Sequence, residues 1–473
     1  MSTNSGGVMF ENLLLMTDSY KVTHWRQYPP GTERVYSYLE ARTGGEYRDV
    51  MFFGLQYILK RYLLGKYGDG CVVDAKKIGQ AEDFFKAHFG SGALFNREGW
   101  HRISQWHGGR LPVEICAVPE GTIVPEGNVM MTIENTDPHC HWLVNYLETL
   151  LVQVWYGSTT GTISREMKKI IKRALEKSGT DTDENLAFKL HDFGYRGVSS
   201  AESAAIGGAA HLVNFKGTDT LAACELLMEY YGAAMPGYSI PAAEHSTVTS
   251  WGEGNEALAY RNMLDRFPTG LVAVVSDSWD IRNAVRVIWG KKLRDKVLER
   301  DGVLVIRPDS GDPCLVLPDV LNALGGGFGF ETNAKGFRVL NPKVRVIQGD
   351  GITRHSLADI LDAIMASGWS ADNIAFGSGG GLLQSCNRDT QRMAMKCSEV
   401  VIGGEPQDVY KRPATDATKN SKRGRLALVR RGDGFQTVPQ AEAGNEDLLV
   451  PVFRNGKLLV DQKLDEVRER AKL

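Results

Sequence analysis

The chain has 473 residues, too many for one ordinary hydrophobic core, so two domains are expected. With 42% hydrophobic and 24% charged residues it has the make-up of a folded globular protein, which excludes a disordered chain. The net charge of −2 supplies no overall basic field for nucleic acid, and no apolar run is long enough to span a bilayer.

The opening segment, MSTNSGGVMFENLLL, lacks the basic start and long apolar stretch of a secretory signal. Seven cysteines are scattered along the chain with no C-x-x-C spacing. The odd count and the spacing argue against a disulfide framework and a structural zinc site, and the expected compartment is the reducing cytoplasm. Within residues 1–160, Val35–Arg42 reads as a strand and Met51–Leu64 as an amphipathic helix, its apolar residues returning at helical spacing. Leu111–Asn135 alternates apolar positions between Pro and Gly breaks, as a small antiparallel β unit with tight turns does.

Beyond Ser164 the pattern changes. SREMKKIIKRALEKSG predicts a basic-faced helix, and short β runs then alternate with helical stretches. The β runs are AFKLHDFG, HLVNFKGTD, PGYSIPAAEH, LVAVVSDS, GVLVIRPDSG, VRVIQGDG and NIAFGSGGG. Between them lie predicted helices such as SAAIGGAA, SWDIRNAVRVIWG and RHSLADILDAIMASG, while GGGFGFE near Gly325 is expected to be a flexible connection. So many β-then-α units favour a parallel α/β barrel over residues 161–384, with its site at the C-terminal ends of the strands. Residues 385–473 hold strand-like pieces, a basic Thr- and Asn-containing loop and a short surface helix, LDEVRERAKL. This tail is expected to return to the N-terminal β unit.

The residues with chemical potential fall at the predicted strand ends. Gly377, Ser378, Gly379, Gly380 and Gly381 follow a strand, where glycine lets backbone N–H groups approach an anion closely. The stretch is neither a P-loop nor a G-x-G-x-x-G fingerprint, and alone it reads as a flexible turn. Its place after a late barrel strand turns the reading toward phosphate. Asp277, Asp309 and Asp350 end three other strands, where a carboxylate can hold ribose hydroxyls, bind magnesium, or simply cap a turn. Arg307 and Arg196 suit bidentate phosphate binding or a structural ion pair equally. His245, beside Glu244, is a candidate base or phosphate acceptor, and Phe193 and Tyr195 are candidates for stacking a flat ring. The basic clusters Lys168–Lys169 and Lys419–Lys422–Arg423–Arg425 read as solvated faces.

These residues lie in blocks that closely resemble the nicotinamide phosphoribosyltransferase family over almost the whole chain. The blocks include LLLMTDSYKVTHWRQYPPGT, FFGLQYILKRYL, AVPEGTIVPEGNV, KLHDFGYRGVSS, PGYSIPAAEHST, VVSDSWDI, IRPDSGDP, VIQGDG, IAFGSGGGLLQ and KRGRL. The resemblance implies a modified, irregular TIM-like α/β barrel and a second, mostly β domain formed by both chain ends. It implies transfer from phosphoribosyl pyrophosphate to nicotinamide, with Mg²⁺ present and pyrophosphate released. Phe193 and the partner protomer's counterpart of Tyr20 would stack the nicotinamide ring, and Asp219 would bond the carboxamide. Arg307 would bind substrate with Asp309 beside it, Gly349 and Asp350 the ribose, and Gly379, Gly380 and Arg388 the 5′-phosphate. Arg196 and His245 would face pyrophosphate, and Arg42, Lys396, Lys411 and Lys419 would close round the phosphates, partly across the interface of a homodimer. The resemblance also implies that ATP phosphorylates His245, with Glu244 and Asp277 close by. Magnesium would lie near Asp309 and Asp277. Ala273 and Ala394 stand where the family commonly has polar residues, which bears on affinity and inhibitor binding more than on reaction type.

Rival readings make different demands. A nicotinate phosphoribosyltransferase would bring a substrate carboxylate up against Asp219, which repels it. A non-catalytic binding or signalling protein on this fold predicts erosion of the ring and phosphate residues, and almost none is seen. An NAD-dependent oxidoreductase needs an N-terminal Rossmann fingerprint, which is absent.

Overall fold

Val35, Tyr36, Tyr38 and Leu39 are β-branched, aromatic or apolar side chains that suit a packed pleated surface, and they lie buried in a ten-residue strand, Thr32–Ala41. That strand is central to a seven-stranded antiparallel sheet. In spatial order the sheet runs Glu405–Asp408, Met393–Ile402, Thr32–Ala41, Val129–Asn135, Val113–Ala117, Val450–Arg454, Lys457–Leu458. Strands from the C-terminal part thus flank three from the N-terminal part in one sheet, as Met393–Ile402 pairs with Thr32–Ala41 and Val450–Arg454 with Val113–Ala117. The computed structural model describes residues 12–415, 420–432 and 434–473. The chain divides into two compact units, and this sheet belongs to the first, which groups residues up to Thr162 with Tyr230–Gly232 and Cys386–Ala471.

Two local readings change in this unit. Met51 ends a short strand, Asp49–Met51, paired with Ile123–Pro125, and the helix begins only at Leu55. Gly54, at φ +104°, makes the break between them, a conformation that disfavours any side chain. The solvated reading of the basic tail holds only in part: Arg423 is exposed, 3.7 Å from Asp408, whereas the half-buried Arg425 holds Glu134 through two nitrogens and Lys422 pairs with Glu40.

The second unit groups Ile163–Glu229, Ala233–Ser385 and the last two residues. Its parallel strands are β1 (Leu190–Asp192), β2 (Gly217–Thr218), β3 (Thr269–Val275), β4 (Asp301–Arg307), β5 (Val344–Gln348) and β6 (Ile374–Ser378). They pair in the order β2-β1-β6-β5-β4-β3. The ring is completed without a regular strand. In the segment between β2 and β3, Tyr238 bridges to Gly217 and Ala242 to Ala273, both in parallel sense. PGYSIPAAEH is thus an extended connector rather than a β-strand, because Pro236 and Pro241 lack the N–H groups a continuous ladder needs. Around the ring the strands follow chain order, an α/β barrel with one irregular stave.

Two further expectations are corrected. HLVN of HLVNFKGTD ends helix α1 (Ala201–Asn214), leaving only Gly217–Thr218 as strand. Its nine-residue buried set covers almost every side of the helix from Gly207 onward, so the run lacks the one-sided pattern of an exposed helix. GGGFGFE is not a loose linker. Gly325–Gly327 close helix Pro313–Phe328, and Phe330–Thr332 forms a hairpin strand with Arg338–Leu340. A Cβ on Gly325 would lie 2.6 Å from the Trp369 ring and one on Gly327 3.1 Å from the Gly290 backbone, so these glycines permit close packing.

Candidate active site

The C-terminal rim of the barrel gathers a flat-ring seat, a glycine turn and a group of carboxylates, all within the second unit. Ala273, Val305 and Ile347 form an apolar layer across β3, β4 and β5, against which Phe193, Ile240 and Ala375 pack. Phe193 follows β1, and its N–H donates to the Ser378 carbonyl at 3.0 Å. A Cβ on Gly377 would overlap the Phe193 ring, and one on Gly349 would stand 3.5 Å from it. These two glycines let the aromatic ring lie at the strand ends. Asp219, exposed just past β2, accepts a hydrogen bond from the Ser239 hydroxyl. Its second carboxylate oxygen remains open, a suitable acceptor for an amide N–H, and Ile240, next to Ser239, packs in the Phe193 layer.

Asp277 lies past the end of β3 with its side chain only 3% exposed. Its Oδ2 accepts the Asp309 N–H at 2.9 Å and the Ser310 hydroxyl at 2.5 Å, while its Oδ1 is 3.1 Å from His245 Nε2. The imidazole remains 48% exposed. With Nε2 turned to the carboxylate as donor, Nδ1 holds the free lone pair, as a positioned nucleophile requires. Glu244 precedes His245 and takes the Ser246 hydroxyl. With Oδ2 taken by Asp309 and Ser310 and Oδ1 facing the imidazole, Asp277 suits orienting His245.

Asp309 is different. Burial pushes its carboxyl upward, Arg307 pulls it down, Asp277 and Asp350 push it up again, and His245 lowers it. Arg307 Nε sits 3.8 Å from Asp309 Oδ2 and is itself a buried donor with no acceptor. Crowded carboxylates beside a guanidinium N–H that lacks an acceptor have the chemistry to take a divalent cation and an anionic oxygen. Asp350 is exposed, and its carbonyl accepts Gln348 Nε2 at 2.9 Å. Gly379 caps the single helical turn Gly380–Leu383, and Arg196 is exposed in the turn after Phe193.

The remaining expected residues lie in the first unit. Tyr20 is 59% exposed on the helical turn Ser19–Arg26. Lys396 carries a depressed ammonium, first through burial and then through Arg42, Arg388 and Lys21, with Glu148 opposing. Arg42, Arg388 and Lys396 are therefore one cationic group, and Arg42 Nε is a buried donor without an acceptor. Lys411 is exposed on a loop pinned by Ser421. Lys419 lies outside the described residues.

Sequence reasoning passed over Asp192, Ser239 and Ser310, although HDFG, PGYSIP and RPDSG all stood in quoted blocks. Each acts on a residue distant in the chain or hidden from solvent, which spacing does not reveal. Among the described residues no helix is long and apolar enough to cross a membrane. The one grouping of three potential metal ligands among them, His107, Asp137 and Cys140, belongs to the first unit.

Residues 188–457 match the nicotinate phosphoribosyltransferase (NAPRTase) family, and residues 12–115 match the nicotinamide phosphoribosyltransferase N-terminal domain. The chain is 51% identical over 470 residues to the nicotinamide phosphoribosyltransferase of Xanthomonas campestris pv. campestris (strain 8004), covering 98% of each chain. It is 33% identical over 495 residues to the nicotinamide phosphoribosyltransferase of Acinetobacter baylyi, covering 97% of each. Among solved structures, nicotinate-nucleotide pyrophosphorylase from Pyrococcus furiosus superposes with a TM-score of 0.63 at 16% identity, covering 99% of this chain and 97% of that one. Human nicotinic acid phosphoribosyltransferase gives 0.54 at 15% identity, covering 97% and 93%. At those identities the two structures speak for the fold alone. The chain belongs to the nicotinate phosphoribosyltransferase family and carries the nicotinamide phosphoribosyltransferase N-terminal domain over residues 12–115.

Proposed function

We propose that this chain is a nicotinamide phosphoribosyltransferase serving NAD biosynthesis. The observation that carries the choice of base is Asp219, an exposed carboxylate bonded by Ser239, whose neighbour Ile240 packs in the same apolar layer as Phe193. It accepts an amide N–H and repels the carboxylate of nicotinate. Phe193 stacks one face of nicotinamide, and Tyr20 of the partner protomer the other. The ring nitrogen attacks C1′ of phosphoribosyl pyrophosphate, the C1′–O bond breaks, and pyrophosphate leaves. Because pyrophosphate is a good leaving group and the transition state is oxocarbenium-like, placement and charge stabilisation do most of the work.

Gly349 and Asp350 receive the ribose, Gly379, Gly380 and Arg388 the 5′-phosphate, and Arg196 and Arg307 the anionic groups. Magnesium, when bound, neutralises pyrophosphate charge. Asp309 suits it best, since its carboxyl is crowded by Asp277 and Asp350, and the Asp277 carboxylate steadies its position by accepting the Asp309 backbone N–H. Arg42, Lys396, Lys411 and Lys419 enclose the phosphates, partly from the second protomer of a homodimer.

ATP serves as an activating co-substrate. His245 Nδ1 attacks the γ-phosphorus of ATP, ADP leaves, and Asp277 stabilises the imidazole through Nε2. Hydrolysis of the phosphohistidine later restores the free ring. The test is product formation by the purified chain from each base, with and without ATP. Nicotinamide mononucleotide formed faster with ATP supports the reading, and selective use of nicotinate overturns it.

A further inference from the structure

Asp192 closes β1 and is fully buried, yet it has no part in the reaction described above. Its Oδ1 accepts the Gly194 N–H at 2.7 Å, gripping the turn that carries Phe193. Its carbonyl accepts the Asp219 N–H at 2.9 Å, and Thr218 Oγ1 lies 3.5 Å from its Oδ2. Space is kept for this carboxylate. A Cβ on Gly194 would stand 3.0 Å from Oδ1, and one on Gly208 of α1 would stand 2.8 Å from Oδ2. Burying a carboxylate without a cation is costly, so an apolar residue would serve a purely structural role better.

We infer that Asp192 is a positioning residue for nicotinamide, tying the Phe193 turn to the Asp219 loop and so setting affinity for the base rather than for the phosphoribosyl donor. The inference rests on the seat formed by Phe193 and Asp219 in the proposed function. Charge strengthens a carboxylate's grip on a backbone N–H. Burial pushes the Asp192 carboxyl up to about 6. The Gly194 N–H and Thr220 hydroxyl pull it back, Asp219 raises it, and Thr218 lowers it. The other titratable groups nearby are Cys224, on helix α2 (Leu221–Tyr231), whose thiol is raised by burial and by Asp192, and His191, turned against Gly217. His211 of α1 faces Ser164 and the Gly217 carbonyl. The grip therefore weakens as pH falls through about 6.

The test compares wild type with Asp192→Asn, which keeps shape and an acceptor but cannot ionise. At neutral pH the KM for nicotinamide is expected to rise by about 3- to 10-fold, with kcat and the KM for phosphoribosyl pyrophosphate within about 2-fold. The wild-type KM for nicotinamide should climb below about pH 6, while the variant's stays flat. An unchanged nicotinamide KM, or equal rises for both substrates with a lowered melting temperature, would overturn the inference. If the variant fails to fold, calorimetric titration of wild type and Asp219→Asn with nicotinamide replaces it. Both should retain the pH dependence, and its loss in Asp219→Asn would assign it to Asp219 instead. Wild type that binds phosphoribosyl pyrophosphate but shows no saturation by nicotinamide removes the seat itself, and the inference with it.

Discussion

In the function proposed, selection between two nearly identical pyridines rests on the carboxylate of Asp219. Replacing Asp219 with Ser removes both the amide acceptor and the repulsion of a carboxylate. The nicotinamide KM is expected to rise about 10- to 100-fold, the cost of one charged hydrogen bond, while turnover with nicotinate increases. Steady-state kinetics with both bases check this. His245→Ala should abolish ATP stimulation and any phosphoenzyme formed from γ-labelled ATP, leaving slow ATP-independent synthesis. Asp277→Asn should reduce phosphoenzyme formation without abolishing it, since the lone pair of Nδ1 stays in place while its ring loses a partner. At this scale much was legible. Asp277, Asp309 and Asp350 follow apolar runs directly, and strand-end carboxylates in a barrel belong to its rim. Asp192 and Ser239 were not legible, because their partners Gly194, Thr218 and Asp219 come together only when β1, β2 and the connector are folded.

Glycines at the strand ends hold the site's shape. Gly377→Ala would drive a methyl into the Phe193 ring, so a loss of about 1–3 kcal/mol in stability is expected, together with a raised nicotinamide KM. Urea unfolding and kinetics measure the two effects. The Asp192 carboxyl makes a further claim at this scale. Its folded value of about 6 lies above the usual carboxylate range, so the native state holds its proton longer than the unfolded chain. Its stabilisation is full below about pH 4 and is lost as pH rises through about 6, a change of about 3 kcal/mol that Asp192→Asn should lack. The strands with long apolar runs, such as LVAVV and VLVI, were readable from composition alone. HLVN and PGYSIP were not. The first is apolar enough for either helix or strand and is settled by burial on all sides, and the second borrows two single bridges instead of a ladder. GGGFGFE failed for a related reason, since a glycine that makes room for Trp369 looks in sequence like one that loosens a linker.

Across the whole molecule, the long-range pairing of Thr32–Ala41 with Met393–Ile402 makes both chain ends parts of one sheet. The return of the tail was legible in its strand-like pieces, whereas the register was not, because it depends on residues more than three hundred positions apart. Removing the last strands, from Val450 onward, should therefore unfold the first unit rather than trim it, as circular dichroism and limited proteolysis would show. The proposed homodimer with shared sites makes a separate demand. Phe193→Ala and Lys396→Ala, each inactive alone, should regain about a quarter of wild-type activity when subunits are mixed, since half the dimers then carry one intact site. No recovery after verified subunit exchange would mean that each site is built from a single chain. The most direct measurement is a competition between nicotinamide and nicotinate for phosphoribosyl pyrophosphate with magnesium, followed by the two mononucleotide products. The expected result is nicotinamide mononucleotide and pyrophosphate in equal amounts, with little nicotinate mononucleotide. A preference for nicotinate, or pyrophosphate release with neither mononucleotide formed, would contradict the role given to Asp219.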